Sequence, residues 1–383
     1  MVALALAILA GLSLLLSIWQ WVEGRRFPVH ARAATGDRPG PAVTLFKPLR
    51  GWDARTATCL RSWLTQDYPG PVQVLFGVAD ADDPVNEIVR RLQREFPHAD
   101  MALVICAERR GLNAKVSNLT QLEGVAKHDL WVVSDADVEV PADFLREALA
   151  PFGQPATGLV CPLYALGEPT TAAMRWEAVC VNADFWTGVL QARRFGPLRF
   201  ALGAVMAVRR EVVARQGGFA SLANVLADDF ELGRRAAANG ARIALSPVVV
   251  RCLEAPQNWR RVWAHQVRWS RTIRVCQPAP YAASLLSNAT LWPGLWMAFD
   301  PRPTVMLAVA VCLAVRLATA ADNQWRLTRS LAHLPWLGLV LVKDVLQCGL
   351  WALAFLGDTV EWRGERFRVK RNGELAPLGR MRA

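Results

Sequence analysis

Apolar positions in this chain fall into three regimes. Residues 1–22 form an uncharged apolar run, and a helix rising 1.5 Å per residue over that length crosses the hydrocarbon core of a bilayer. From Ala42 onward the pattern becomes short apolar runs alternating with amphipathic stretches. AVTLFKP, VQVLFGVAD, MALVICA and LWVVSDADVEV read as buried strands, and ARTATCLRSWLTQ, PVNEIVRRLQREF and KVSNLTQLEGVAK as the helices between them. Strands apolar throughout, joined by helices, predict a mostly parallel sheet covered on both faces. Ligands of such sheets bind beyond the carboxyl ends of the strands.

Past residue 150 the rhythm loosens. GLVCPLY, FALGAVMAVRR and ARIALSPVVVRC read as strands, and LADDFELGRRAAANG opens a helix. WRRVWAHQVRWSRTIRV is a basic amphipathic helix with Trp259, Trp263 and Trp269, a composition suited to a bilayer surface. The third regime is apolar again. Residues 281–299 are uncharged but broken by Asn288 and Pro293, 303–321 are interrupted by Arg316, and 335–357 contain Lys343 and Asp344, expected to neutralise each other. Three spans here put the basic tail (Arg363, Arg366, Arg368, Lys370, Arg371) across the membrane from the catalytic domain, against the positive-inside tendency. Laying 281–299 in the interface leaves two spans and returns the tail, and is the preferred reading. The expected organisation is an anchor at 1–23, a linker at 24–41, a catalytic domain at 42–258, an interfacial helix at 259–280, a membrane region at 281–357 and a basic tail at 358–383.

Composition sharpens this picture. The chain is 53% hydrophobic, carries 16 Trp and has a net charge of +11. Its Arg residues flank apolar stretches rather than forming one basic face, which favours anionic headgroups over nucleic acid as the partner. Arg25, Arg26 and Arg32 follow the first apolar run instead of preceding it, so the run reads as an uncleaved anchor with the next domain in the cytoplasm. The eight Cys show no CxxC or zinc-like spacing, as expected in a reducing compartment.

Carboxylates cluster where the strands end. Asp135 and Asp137 close LWVVSDADVEV, and two hard oxygen donors beside a diphosphate suit Mg²⁺ or Mn²⁺. Asp80 ends VLFGVAD, placed to accept hydrogen bonds from a nucleotide, whereas Asp83 before Pro84 looks like a turn. Asn113 and Lys115, in RRGLNAKVSNL, are candidates for phosphate contact, or equally an ordinary helix cap with a solvated lysine. Asp228 and Asp229 open a helix after LANVLA. One carboxylate suffices for a cap, so Asp229 is the candidate general base and Asp228 a structural or acceptor-orienting neighbour. His265, Arg268 and Trp269 share one helical face, suited to closing over a pyrophosphate and a sugar or acceptor.

In that order, Asp80, Asp135/Asp137, Asp229 within ADDFELG, and HQVRW resemble the ceramide glucosyltransferase group of GT-A glycosyltransferases. KPLRG, QDYPGPVQVLFGVADADDP and GLNAKVSNL are similar to that group as well. The resemblance spans about residues 40–275 and the flanking membrane segments. It implies a GT-A domain facing the cytosol of an integral membrane protein in a bacterial inner membrane, a UDP-sugar donor, a divalent metal (Mg²⁺ or Mn²⁺), and inversion at the anomeric carbon. By position Asp80 would hold the nucleotide, Asp135/Asp137 the metal and diphosphate, Asp229 would be the base, and Arg268/Trp269 would belong to the closing motif. His265 departs from the Gln or Arg of polymerising synthases. The expected reaction is transfer of one hexose to a lipid hydroxyl, with ceramide the first-choice acceptor. A hopanoid polyol, receiving glucose or N-acetylglucosamine, is the alternative, because bacterial hopanoid glycosyltransferases look similar across these motifs. A polysaccharide synthase should have more spans, and a non-catalytic membrane adaptor should not need every carboxylate.

Overall fold

A computed structural model describes residues 1–32, 40–362 and 364–380. Its main sheet contains β1 (Val43–Leu49), β2 (Val72–Val78), β3 (Asp100–Ile105), β4 (Leu130–Ser134), β5 (Val138–Glu139), β6 (Thr157–Leu166), β7 (Val205–Arg209) and β8 (Arg242–Cys252). The order across the sheet is β3-β2-β1-β4-β7-β6-β8-β5. The four strands β3, β2, β1 and β4 are parallel, β7 runs antiparallel between β4 and β6, and β6 and β8 are again parallel. Every residue of β1 and β4 is buried, the state that uninterrupted apolar runs such as LWVVS require. The chain steps outward through β1, β2 and β3, then returns to place β4 on the other side of β1. That reversal opens a crevice at the carboxyl ends of β1 and β4. The fold is the mixed, mostly parallel GT-A-like Rossmann sheet.

The helices are α1 (Val2–Arg26), α2 (Thr56–Ser62), α3 (Val85–Glu95), α4 (Ala114–Leu122), α5 (Phe144–Leu149), α6 (Ala172–Val179), α7 (Trp186–Ala192), α8 (Arg210–Ala214) and α9 (Asp228–Ala238). They are followed by α10 (Trp259–Cys276), α11 (Pro278–Ala283), α12 (Leu291–Phe299), α13 (Pro303–Thr328) and α14 (Leu339–Phe355). A π-helical turn over Cys180–Phe185 joins α6 to α7. The wider turn sets two side chains to separate tasks: Asn182 bonds both backbone groups of Leu166 at 2.9 and 3.0 Å, and Phe185 packs against Tyr164.

Among the described residues two helices are long and apolar enough to cross a membrane, α1 with mean hydropathy 2.5 and α13 with 2.1. The last turns of α1 are tied down. Trp21 donates to Asp322 on α13 at 2.7 Å, and Glu23 accepts from Arg194 at 2.7 Å. A Cβ on Gly24 would lie 2.9 Å from the Thr187 side chain, so only glycine lets α1 and α7 approach so closely. The helix thus runs three residues past the expected anchor boundary. Beyond it His30 is already docked, its N–H donating to Pro247 O at 2.7 Å, and residues 33–39 of the expected linker lie outside the described residues.

The span expected at 335–357 takes a different form. The 17-residue α14 packs Val340 against Val179, Ala183 and Ala320, and Leu350 against Trp176 and Val262. It therefore lies along α6 and α10 instead of leaving them. Lys343 and Asp344 do pair, at 2.6 Å, but within a larger buried group. Arg316 reaches both Asp184 (2.9 and 2.8 Å) and Asp344 (2.8 and 2.9 Å), Lys343 also pairs with Asp184, and Thr290 donates to Asp344 at 2.6 Å. Buried charges persist when each has such a partner.

Residues expected to form a basic tail fold instead into an antiparallel sheet of β9 (Thr359–Trp362), β10 (Glu365–Val369) and β11 (Leu375–Arg380). The charge count concealed a period of two. Val360, Phe367, Val369 and Leu375 point inward onto Leu226, with Leu112 and Val275 beside them. This sheet bonds to the catalytic domain at Leu226 N–H to Gly373 O (3.2 Å) and Leu375 N–H to Asn224 O (2.8 Å).

Candidate functional site

At the crevice, β1 and β4 bring together a lysine that the motif reading passed over and the first acidic pair. Lys47 is fully buried in β1, donating to Ser134 Oγ at 3.0 Å and Asp135 O at 2.6 Å, with its ammonium 4.7 Å from the Trp63 ring centre. Burial pushes this ammonium down to about 7. The signal for it was present: a lone lysine inside the otherwise apolar VTLFKPL. Asp137, two residues beyond Asp135, is pushed up to about 7 by burial first, then by Asp135 and Glu254.

Lys115 joins this pair to the second acidic cluster. Its ammonium lies 2.7 Å from Asp135 Oδ1 and 3.7 Å from Asp228 Oδ2. The side chain is buried, not solvated. Burial opposes its charge, but Asp135 and Asp228 outweigh that and hold it above the ordinary lysine range. Asn113 is indeed the cap of α4, accepting the Val116 N–H at 3.1 Å, and it does more. Its amide donates to Val225 O at 2.9 Å and Asp228 Oδ1 at 3.3 Å, which orients Asp228. Asp228 therefore serves the lysine and the asparagine, while its neighbour is left for other work.

Asp229, in the first turn of α9, accepts the N–H of the next residue, Phe230, at 2.8 Å. Burial and then Asp228 push its carboxyl up to about 6, against the pull of Lys115. Its other oxygen would lie 2.5 Å from a Cβ at position 203, so Gly203 is what lets the carboxylate pass beside the backbone. Asp80 stands apart, exposed at the end of β2, its carboxylate accepting the Asp82 N–H at 2.9 Å. Asp83 is the turn residue expected: it accepts the Gly51 N–H at 3.0 and 2.9 Å and the Val85 N–H at 2.9 Å.

His265, Arg268 and Trp269, expected to close over the substrates, lie on α10. His265 Nδ1 is 2.7 Å from Glu177 Oε1, the same oxygen that accepts from Gln266 at 2.8 Å. The His265 and Trp269 rings meet edge-on at 4.9 Å, and Trp269 packs against Phe185 at 5.9 Å. Arg268 faces the Trp362 ring on β9 at 5.9 Å. Glu254 links the two halves of the site. Burial pushes its carboxyl up, opposed by His265 and Arg268, and its own charge presses on Asp137. Neither Glu177 nor Glu254 belonged to a motif. The folded chain thus gathers Asn113, Lys115, Asp135 and Asp228 in one contact group and His265, Trp269 and Glu177 in another.

The small sheet braces three segments that carry these residues. Glu365 pairs with Arg109 at 3.5 Å ahead of Asn113, Gly373 and Leu375 bond the loop ahead of Asp228, and Thr359 O and Gly357 O accept from Arg271 and Arg274 on α10. Among the described residues no three His, Cys, Asp or Glu side chains gather closely enough to hold a metal alone.

Comparison with known proteins places this geometry. The chain is 22% identical over 365 residues to ceramide glucosyltransferase 3 of Caenorhabditis elegans, covering 88% of this chain and 74% of that protein. A shorter match to the ceramide glucosyltransferase of Candida albicans is 30% identical over 118 residues, 28% of this chain and 22% of that one. In fold it is similar to the mannosyltransferase PcManGT of Pyrobaculum calidifontis, solved with GDP-Man and Mn²⁺, with a TM-score of 0.50, 22% identity, and 90% and 97% of the two chains covered. Residues 3–375 match the family described as glycosyl transferase family 21. With a GT-A-like sheet and two apolar helices long enough to span a bilayer, the chain is a membrane-associated glycosyltransferase belonging to family 21.

Proposed function

We propose that this protein transfers a single hexose from a UDP-sugar to a lipid hydroxyl, with ceramide the first-choice acceptor, on the cytoplasmic side of the membrane. The observation that carries the reading is Asp229: a carboxyl raised to about 6 at the head of α9, next to a lysine-bridged acidic group. A base of that strength is largely ionised at neutral pH and still takes a proton readily. In the reaction the acceptor oxygen forms a bond to the anomeric carbon as the bond to the β-phosphate oxygen breaks. The hydroxyl proton passes to Asp229, UDP departs, and the single displacement inverts the centre. Asp80 is assigned to the nucleotide, Lys115 to the charge of the diphosphate, and Arg268 and Trp269 to closing the site.

The acidic pair suits a divalent ion. Asp135 and Asp137 are hard oxygen donors, and the carboxylate crowding that raises Asp137 is relieved by a cation. Such an ion, completed by substrate oxygens and water, would offset charge on the departing diphosphate.

The test is detergent-solubilised protein with radiolabelled UDP-glucose or UDP-N-acetylglucosamine and either ceramide or a hopanoid polyol, with and without EDTA. Label should enter a lipid, disappear with EDTA, and fall by roughly 10²–10⁴ in Asp229→Asn while UDP binding persists. A hopanoid product would replace ceramide by the polyol. Transfer to neither lipid would defeat the reading, absence of UDP-sugar binding would indicate an adaptor, and undiminished transfer by Asp229→Asn would remove Asp229 as the base.

A further inference from the structure

A row of contacts docks α6 on α10 and ends at the site. Thr171, the cap of α6, donates to Gln257 O at 2.7 Å just ahead of α10. Farther along, the Trp176 ring lies 5.7 Å from Trp259 and 6.0 Å from Trp263. Next comes Glu177, whose Oε1 receives two donors, the Gln266 amide at 2.8 Å and His265 Nδ1 at 2.7 Å. These donors face different surroundings. Gln266 is buried, like Val262 and Ser270 on the same helix, whereas His265 keeps 29% of its side chain exposed. Docking the helices needs only the first bond.

The second bond fixes a ring. A carboxylate oxygen accepts, so the imidazole proton sits on Nδ1, and in the neutral ring Nε2 is left as the acceptor. Among the described residues His265 Nε2 makes no hydrogen bond. The ring meets Trp269 edge-on, and Trp269 and Phe185 both adjoin the main core, so this face of α10 looks toward the catalytic sheet. The facing segment is held by Leu253 N–H to Asp137 O at 2.8 Å and Ala255 N–H to Asp53 at 3.0 Å. It carries Glu254, which interacts with His265 on one side and Asp137 on the other.

We propose that Glu177 is a positioning residue for the transfer: by holding the Nδ1 proton of His265 it presents Nε2 to a hydroxyl of the bound substrate. That hydroxyl belongs to the donor hexose or to the acceptor lipid, and in both cases its O–H donates to Nε2. Asp229 remains the base. The assignment rests on the lipid-glycosyltransferase reading above and adds to it the residue that aims His265.

The test uses the full-length protein in detergent. His265→Ala should raise one KM by about tenfold, that of UDP-glucose for a sugar hydroxyl or of ceramide for a lipid hydroxyl, with calorimetric UDP affinity unchanged. Glu177→Gln should raise the same KM by about threefold or more, and should add nothing once His265 is alanine. A carboxylate that only docks the helices would lower Tm and leave that KM alone. The chain has five His, so the His265 signal in a nitrogen-15 spectrum is assigned by its loss in His265→Ala. It should show the Nδ1–H tautomer in the wild type and a mixture in Glu177→Gln, because an amide both donates and accepts. Any other ring form in the wild type, an unchanged KM in His265→Ala, or an equal effect of Glu177→Gln with and without His265 would overturn the assignment and leave the lipid reading standing. A wild type that glycosylates neither ceramide nor a hopanoid polyol would overturn the lipid reading and this assignment with it.

Discussion

Two of the buried charge groups among the described residues differ in balance. Where α13 and α14 meet the π-helical turn, Arg316 and Lys343 face Asp184 and Asp344, two cations against two anions. At the sheet crevice, Lys115 is the cation that contacts Asp135 and Asp228, Asn113 also donates to Asp228, and Asp229 adjoins. The first group is closed: its charges cancel and its guanidinium is forked onto both acids. The second carries surplus negative charge, and burial first, then the neighbouring carboxylates, push Asp137 up to about 7 and Asp229 up to about 6. Burial alone therefore does not mark a site. Unbalanced burial does, because such a group is completed by something that binds.

The comparison breaks most visibly in the balanced group. Arg316→Met should destabilise the protein by about 3–5 kcal/mol, since it leaves Asp184 and Asp344 buried with only Lys343. Replacing all four by apolar residues of similar volume should cost much less, and thermal unfolding in detergent compares the two. In the unbalanced group, Lys115→Met should act through chemistry as well. Lys115 pulls the Asp229 carboxyl down, so its loss should move the acid limb of the kcat–pH profile upward from about 6. A limb that stays in place would show that the lysine does not act on the base.

The smallest expected effect is on stability. The folded protein holds the Asp229 proton up to about 6, against 3.8 for the ordinary group. Between those values the native state binds more protons than the unfolded chain, so this residue's contribution to stability falls as pH rises through that window. Asp229→Asn should therefore raise Tm at pH 8, by on the order of 2–4 °C, and leave it nearly unchanged at pH 4. A uniform shift at both values would point to packing rather than charge.

How much of this was legible beforehand depended on distance along the chain. The parallel core was readable because β1, β2 and β4 carry their burial as unbroken apolar runs. Asp135, Asp137, Asp228 and Asp229 were readable because strand and helix ends place them at the crevice. Lys115 was ambiguous, since the same residues make a cap and a site, and here they do both. Glu177 was hidden: it meets His265 from 88 residues away through the docking of two helices. Asp184 was hidden in the same way, reaching Lys343 across 159 residues. In the last strands a net-charge reading followed the arginines and missed Phe367 and Val369 alternating beneath them.

The bracing sheet also has a consequence for biosynthesis. The catalytic strands emerge from the ribosome before α13, whereas β9, β10 and β11 follow it. Domains fold largely in the order they are made, so the sheet domain can collapse early around its own core. The loops ahead of Asn113 and Asp228 acquire their last supports only after α13 and α14 have been synthesised. Competence is thus tied to insertion, and a nascent chain still short of the bilayer would hold its carboxylates without the frame that aims them.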